Sequence, residues 1–201
     1  MKSLKIPVLF ALFWILLLSG NASADFTVVN LDTTGYSITG QTFNSATNTV
    51  VVNEDYNSTV LIPYPSHDGY GIENTLGDFF KENLVVGAAG SYALTFNVTN
   101  TTPYTWSDYH FVLGTGISLT SWTNTIFANS AFNTANDELQ FWAPNQVSPG
   151  QTVTFTLDVN LAQGNLNLTQ IATTETPIPG ASWLFGSGVL GLIGLKRMYL
   201  R

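Results

Sequence analysis

Apolar and polar residues alternate along the central part of the chain. Val153, Phe155, Leu157 and Val159 are separated by threonine or aspartate, and a second alternating run covers residues 94–99. Because successive side chains of a strand point to opposite faces, this period of two indicates strands with one buried face. Asn, Gly, Thr and Pro lie between these runs, as turns require. The pattern predicts an all-β, two-sheet antiparallel β-sandwich of the jelly-roll or Ig-like kind.

About eleven short strands are expected by this criterion. In chain order they are residues 26–31, 36–43, 49–53, 59–62, 84–87, 94–99, 108–113, 117–122, 139–142, 152–159 and 165–171. Only residues 75–84 show helical spacing of apolar side chains, which predicts a short helix across one end of the sandwich, with a loop as the alternative. The polar stretches 44–48 and 129–136 are predicted to be loops.

The N-terminal 24 residues have the organisation of a secretory signal peptide. Two lysines lie within the first five residues, an apolar run follows from Ile6 to Leu18, and Ala22-Ser23-Ala24 is a small-x-small cleavage site. We therefore expect cleavage after Ala24 and a mature chain that begins at Asp25. The partners implied are the Sec export machinery and signal peptidase; an uncleaved N-terminal anchor is the alternative.

The last 26 residues, 176–201, form a three-part segment. Pro177 and Pro179 disfavour helix at its start, residues 181–195 carry no charge, and Lys196, Arg197 and Arg201 follow. An apolar run of this kind, extended by snorkelling of the basic side chains, predicts a single thin or tilted transmembrane helix. The positive end is expected in the cytoplasm, with the body outside the inner membrane. A hydrophobic core element with a basic tail is the alternative.

This segment resembles the PEP-CTERM sorting signal, in its Val-Pro-Leu-Pro-Ala-like form. The residues that carry the resemblance are Pro177, Ile178, Pro179, Gly180, Trp183, Leu184, Phe185, Gly186, Lys196 and Arg197. Ile178 stands where the name-giving pattern has Glu. The resemblance implies export in a Gram-negative bacterium, processing by an exosortase-type enzyme after a stage in the inner membrane, and delivery to the cell surface or extracellular matrix. It also implies an association with exopolysaccharide and biofilm.

The remaining body, residues 25–175, has the size of one domain and is strongly acidic. It contains all 13 Asp and Glu residues and a single basic residue, Lys81, so its net charge is −12 with neutral histidines. A field of that sign repels phosphate backbones, which excludes nucleic acid as a partner. The chain has no cysteine, so disulfides, thiolate metal sites and a cysteine nucleophile are excluded as well. Solubility outside the cell explains this charge, and binding of divalent cations is the alternative.

The sequence offers few candidates for catalysis. His67 is followed by Asp68 in a turn-rich stretch, and His110 and Asp108 are placed on the same face of a strand by alternation. No Gly-x-Ser-x-Gly elbow occurs in the body to present a nucleophile, so a hydrolytic triad is not supported. A glycosidase would need two opposed carboxylates, and no pair is selected by the sequence. The candidates for such a pair are Glu54 or Asp55, Glu73, Asp108, and Asp137 or Glu138.

Two acidic stretches are candidates for a structural calcium ion. Glu54 and Asp55 follow Asn53, and Asp137 and Glu138 follow Asn136, so each stretch places several oxygen ligands on adjacent residues. Neither stretch matches the twelve-residue calcium loop of EF-hands. No cofactor is therefore expected, with structural calcium as the alternative.

Trp142 is the candidate for contact with a glycan. Its parity is opposite to that of Leu139 and Phe141, so it faces outward if those two face the core. An exposed ring of this kind stacks on sugars, although coverage of a sheet edge explains it as well. Two functions thus remain: a non-catalytic exported surface or matrix protein, and a secreted carbohydrate-binding module or glycoside hydrolase.

Overall fold

The computed structural model describes residues 25–31, 35–65, 72–76 and 80–175. The predicted signal peptide with Ala22 and Ala24, the predicted sorting segment 176–201, and His67 with Asp68 lie outside the described residues. The described residues form thirteen strands: β1 (Phe26–Asn30), β2 (Tyr36–Asn44), β3 (Thr49–Tyr56), β4 (Leu61–Pro65), β5 (Ile72–Leu76), β6 (Phe80–Val86), β7 (Gly90–Asn100), β8 (Trp106–Leu113), β9 (Ile117–Asn124), β10 (Asn129–Asn133), β11 (Glu138–Val147), β12 (Thr152–Leu161) and β13 (Gly164–Glu175). None of these described residues belongs to a helix with the length and apolarity needed to cross a membrane.

The strands form two sheets. Sheet A has the order β1-β6-β13-β8-β11-β10, and the β4–β5 pair joins it along the C-terminal end of β13. Sheet B has the order β2-β3-β7-β12-β9. The prediction of a two-sheet β-sandwich is confirmed. The prediction of purely antiparallel sheets is wrong at one place, because β3 and β7 are parallel. The connection from β3 to β7 includes β4, β5 and β6 of sheet A, which makes it the long crossover that a parallel pair needs.

Strand alternation places the core between the sheets. In β12 the odd-numbered side chains from Val153 to Leu161 are buried, and in β7 the even-numbered side chains from Tyr92 to Asn100 are buried. Aromatic rings fill the centre: Tyr109 of sheet A stacks on Phe155 of sheet B with centroids 4.6 Å apart. Such ring pairs add stability beyond the area that they bury.

The predicted helix over residues 75–84 is wrong. Thr75 and Leu76 belong to β5, and residues 80–86 form β6 between β1 and β13. The strand period is present in β6, since its even-numbered residues are buried and its odd-numbered residues are exposed or half-buried. The polar residue at the centre of the buried row, Glu82, conceals that period in the sequence.

Other boundaries also differ from the predictions: the strand predicted over 59–62 is β4 at residues 61–65, and two further segments show the reason for such errors. The strand predicted over 49–53 continues to Tyr56, and the continuation includes the buried residue Glu54. The predicted loop over 129–136 contains β10, a strand with four exposed residues and the half-buried Phe132. Both segments lack the apolar alternation by which strands are predicted. Their strand structure depends instead on pairing with neighbouring strands.

Candidate functional site: two buried ionisable clusters

Two glutamates from opposite sheets meet inside the core. Glu54 of β3 and Glu82 of β6 have 1% and 0% of their surface exposed. Their side chains point toward the core because alternate residues of each strand are buried. Each glutamate belongs to that alternate set, whose other members are apolar or aromatic. Burial of an isolated carboxylate is costly, so these two groups require partners or protons.

Gln170 of β13 joins the two carboxyl groups. Its Nε2 lies 3.3 and 3.2 Å from the two oxygens of Glu54 and 2.9 Å from Oε2 of Glu82. The Tyr109 hydroxyl donates to Oε1 of Gln170 at 2.6 Å, and the Tyr36 hydroxyl donates to Oε1 of Glu82. These five residues, which we name the core acid cluster, link β2 and β3 of sheet B to β6, β8 and β13 of sheet A.

The core acid cluster favours protonated carboxyl groups. Burial, and then repulsion by the nearby Glu82, raises the pKa of Glu54 well above its ordinary value. Burial also raises the pKa of Glu82, although hydrogen bonds from Tyr36 and Gln170 act in the opposite direction. Among the described residues of this cluster there is no cation, so a proton held by Glu54 replaces one.

The tyrosines of the cluster act as hydrogen-bond donors. Burial and the two glutamates raise the pKa of both Tyr36 and Tyr109, so their hydroxyl groups stay protonated. Tyr56 lies beside them; burial raises its pKa, and its hydroxyl accepts the amide of Ala172 at 3.3 Å. Chemically, the arrangement can retain a proton and connect the sheets, but these glutamates are too deeply buried to contact a substrate.

A second cluster lies on the outer face of sheet A. Nδ1 of His110 is 2.9 Å from Oε1 of Glu138, and its Nε2 is 3.4 Å from Oδ2 of Asp108. Asn136 donates to the other oxygen of Glu138 at 2.7 Å. His110 has 1% exposure, and its register partner Ile171 is also buried without belonging to the main core. We name His110, Asp108 and Glu138 the histidine cluster.

The histidine cluster favours a charged imidazole. Burial alone lowers the pKa of His110, but the contacts with Asp108 and Glu138 outweigh burial and raise that pKa to about 9. At neutral pH the imidazolium therefore forms an ion pair with carboxylates on both sides. A histidine held in this state does not act as a general base near pH 7, because its proton is already bound.

The predicted calcium candidates do not converge. Glu54 points into the core, whereas Asp55 occupies the opposite parity of β3 and is half-buried. Asp137 lies in the turn before β11 with a φ of 52°, and Glu138 is bonded to His110 and Asn136. In the described part of the chain, no three His, Asp or Glu side chains are disposed to hold a metal ion.

The structure brings together some of the candidates for catalysis. His110 and Asp108 share one face of β8, as alternation predicts, and Glu138 joins them from β11. The backbone of Glu73 lies in β5, opposite Glu175 of β13. The carboxyl groups that meet across the sheets belong to Glu54, which was a candidate, and Glu82, which was not. The sequence does contain a signal for this pair, because each glutamate lies two residues from apolar or aromatic side chains of its strand, as a core-facing residue does.

Trp142 lies where its parity predicts. Leu139 and Phe141 are fully buried, while Trp142 is half-buried on the opposite face of β11, in register with Asp108 of β8. A depression of ≈ 490 Å³ lies elsewhere, beside the distal end of β11. Its lining residues offer no titratable side chain: Thr125, Ile126, Pro144, Asn145, Gln146 and Gln151.

Comparison with known proteins gives no match for this chain among family models, characterised proteins or solved structures.

Proposed function

We propose that this chain is a non-catalytic protein of the cell surface or extracellular matrix of a Gram-negative bacterium. The observation that carries the proposal is the order of its parts: a signal peptide, an acidic domain and a basic-ended apolar segment. Five of the six basic residues lie in the two terminal segments, so the domain that would leave the cell keeps the net charge of −12. That asymmetry fits a domain that crosses the membrane between two signals.

In this proposal the chain passes through five steps. The Sec machinery exports it, and signal peptidase cuts after Ala24. The segment 176–201 then holds it in the inner membrane as a single transmembrane helix, until an exosortase-type enzyme cuts near Pro179. The released β-sandwich joins the cell surface or matrix, together with exopolysaccharide.

The described domain supports a non-catalytic role through the state of its ionisable groups. The carboxyl groups of Glu54 and Glu82 are enclosed between the sheets, and both nitrogens of His110 face carboxylates. Neither cluster presents a reactive group to solvent, where a substrate would bind. These groups are arranged to connect strands, which favours a structural role.

The outer face of sheet B also supports this role. Its central rows contain neutral side chains that bond to each other: Asn97 donates to Asn53 at 2.9 Å, and Thr154 donates to Asn97 at 2.8 Å. Thr99 and Thr152 form a similar pair at 3.0 Å. Neutral hydroxyl and carboxamide groups can exchange hydrogen bonds with the hydroxyl groups of a polysaccharide, and Asp55 and Asp158 lie on the same face.

Intact-mass spectrometry of the full chain, expressed in a bacterium that has an exosortase, tests the proposal. We expect a surface or matrix form that begins at Asp25 and ends near Pro179. The matched control replaces Lys196 and Arg197 by alanine, which removes the positive stop and should reduce retention in the inner membrane. Recovery of the chain in the cytosol with Met1 and Arg201 both present would overturn the proposal.

A second candidate function, carbohydrate binding, is favoured by one observation. Trp142 is half-buried on the face of β11 that points away from the core, in register with Asp108 of β8. Titration of the exported domain with exopolysaccharide tests this function: binding that is lost in Trp142→Ala and kept in Trp122→Phe would favour it. Binding that is equal in the two variants would exclude Trp142 as the contact.

A further inference from the structure

The distal part of β11 leaves the hydrogen-bonded ladder of sheet A. Trp142 pairs with Asp108 of β8, and the next pairing along this ladder joins Val147 to Trp106. β11 thus advances by five residues where β8 advances by two, so three extra residues are accommodated in a bulge. Bulges redirect side chains and are over-represented beside functional sites. The bulge residues that line the depression at this end of β11 are Pro144, Asn145 and Gln146.

The second wall of the depression, at residues 125 and 126, is held by hydrogen bonds. Asn124 Oδ1 accepts the amide of Ile126 at 2.9 Å, and the amide of Thr125 donates to the carbonyl of Thr154 at 3.1 Å. Asn145 Nδ2 donates to the carbonyl of Ile126 at 2.9 Å, which connects the bulge to this wall. Both walls are therefore fixed before a ligand arrives, and a preorganised site loses less entropy on binding.

Three side chains of the lining are oriented by the hydrogen bonds that they make within the described part of the chain. The carbonyl of Ile126 can only accept, so Asn145 turns its Nδ2 toward it and keeps Oδ1 as an acceptor for a ligand. The amide of Ser148 can only donate, so Gln151 turns Oε1 toward it at 3.0 Å and keeps Nε2 as a donor. Oγ1 of Thr125 accepts a backbone amide of β12 at 3.0 Å and keeps its hydrogen to donate.

An acceptor beside neutral donors matches the hydroxyl groups of a neutral sugar, because each hydroxyl both donates and accepts. The lining contains no titratable side chain, so a charged ligand would find no counter-charge there. An anionic ligand would also be repelled by the domain's net charge of −12. A calcium ion needs about six to eight oxygen ligands, more than this lining fixes. The volume of ≈ 490 Å³ lies within the range of about 300–1,000 Å³ that is typical of small-molecule sites.

We propose that this depression, which we name the bulge site, binds a neutral sugar residue of a polysaccharide. Asn145 Oδ1 accepts from one sugar hydroxyl, and Gln151 Nε2 and the Thr125 hydroxyl donate to others. Pro144 and Ile126 add apolar surface for the C–H face of the sugar ring. The inference extends the proposed function, on which it rests only for the place where the domain meets a polysaccharide. The bulge site is distinct from the Trp142 contact, because Trp142 is not among its lining residues.

Nitrogen-15 NMR of the exported protein observes the bulge site directly, because each side-chain carboxamide gives its own NH2 signal. The probes are neutral hexasaccharides of glucose, mannose, galactose or N-acetylglucosamine, with a hexasaccharide of galacturonic acid as the anionic comparison. At least one neutral probe should shift the NH2 signals of Gln146 and Gln151, with a Kd of about 1 mM. The anionic probe should bind about tenfold more weakly or less, because the site offers it no positive charge.

Thr125→Val and Gln146→Ala test the contacts, because each removes hydrogen-bonding groups from an exposed side chain of the lining. Each should weaken binding of the neutral probe by about fivefold, as the loss of one hydrogen bond implies. Gln163→Ala is the matched control, since Gln163 is an exposed glutamine between β12 and β13 that does not line the site. It should bind as the wild type does, and Trp142→Ala should also keep the shifts of Gln146 and Gln151.

Absence of shifts with every neutral probe at about 10 mM would overturn the inference. Equal binding of the galacturonic acid probe would overturn it as well, and so would an affinity that Thr125→Val and Gln146→Ala both leave unchanged. Loss of the shifts in Trp142→Ala, with the fold intact by circular dichroism, would assign the binding to Trp142 instead. Export and processing are measured by intact mass and do not depend on these residues, so the two proposals fail separately.

Discussion

The core acid cluster and the histidine cluster lie on opposite faces of sheet A and solve the same problem differently. Tyr109 and His110 are consecutive in β8, and the first serves the core acid cluster while the second serves the histidine cluster. On the inner face two carboxyl groups meet without a cation, and Glu54 avoids its buried charge by holding a proton. On the outer face an imidazolium forms ion pairs with Asp108 and Glu138.

In both clusters a titrating group, Glu54 or His110, binds its proton more tightly in the folded state than in the unfolded chain. The pKa of Glu54 is raised by burial and by Glu82, and that of His110 is raised by its carboxylate partners. A group with a raised pKa stabilises the fold below its unfolded-state pKa, and that stabilisation is lost as pH rises toward its folded-state pKa. Both clusters therefore make the domain more stable in mild acid than in alkali.

Gln170→Ala is expected to have the largest effect. It removes the amide that donates to both glutamates and the oxygen that accepts from Tyr109, and it leaves a cavity between the sheets. Unfilled volume and unsatisfied buried groups together should reduce the free energy of unfolding by about 4 kcal/mol. Urea unfolding at neutral pH measures the loss.

Gln163→Ala is the control for Gln170→Ala. Gln163 is exposed and donates a single hydrogen bond to the carbonyl of Gly87, so its removal should cost about 0.5 kcal/mol or less. Equal losses in the two variants would show that Gln170 does not connect the glutamates.

His110→Leu tests the other cluster and should have a smaller effect. It leaves the buried carboxylates of Asp108 and Glu138 without the imidazolium, which should cost about 3 kcal/mol at neutral pH. His110 contributes a loss of stability as pH rises from its ordinary pKa of 6.5 to about 9, and this contribution should be absent in the variant.

Gln140→Leu is the matched control for the histidine cluster. Gln140 is the register partner of His110 in β11 and is half-buried, but it carries no charge. It should cost about 1 kcal/mol or less, with no change in pH dependence. If it copied the pH dependence of His110→Leu, the histidine would not be the titrating group.

Glu54→Gln should have the smallest effect. It should change the slope of the free energy of unfolding against pH. The wild type should lose stability as pH rises above the ordinary glutamate value of 4.5, because folded Glu54 keeps a proton that the unfolded chain releases. Each pH unit in that range costs up to about 1.4 kcal/mol per proton. Glu54→Gln should lose about 1 kcal/mol less than wild type by about pH 6, where His110 is charged in both states.

Asp55→Asn controls for the replacement of a carboxyl group by a carboxamide at nearly the same place. Asp55 is the next residue of β3 but lies half-buried on the outer face of sheet B. Asp55→Asn leaves the contacts between Glu54 and Gln170 in place, so the loss of stability that Glu54 causes between pH 4.5 and about 6 should persist in this variant. If stability fell with pH as steeply in Glu54→Gln as in the wild type, Glu54 would be ionised inside the folded domain.

The same glutamates explain where the sequence misleads. Glu82 interrupts the apolar period of β6, so Leu76, Phe79, Phe80 and Leu84 resemble a helical stripe. Glu54 ends the apparent apolar run of β3, so the segment resembles a cation-binding loop. In both cases a polar residue occupies a core position, which period-based prediction treats as solvent. Alternation in β7 and β12, where no charge enters the core, predicts the strands correctly.

Features that depend on contacts between residues far apart in the sequence cannot be predicted from local alternation. Alternation correctly placed Trp142 opposite Phe141 and placed His110 beside Asp108. It gave no information that Glu138 would join them from β11, or that Glu54 would meet Glu82 of the other sheet. The parallel pairing of β3 with β7 also depends on the path of the whole chain through sheet A. Long-range pairing is set by topology, which a local period does not encode.

The central claim is that the core of this acidic domain holds a proton between its two sheets. Carbon-13 NMR of the glutamate side-chain carboxyl carbons, followed through a pH titration of the folded protein, measures this most directly. The account predicts one glutamate signal that remains in its protonated position at about pH 7 and is absent from Glu54→Gln. Titration of every glutamate near its ordinary value of 4.5 would contradict it.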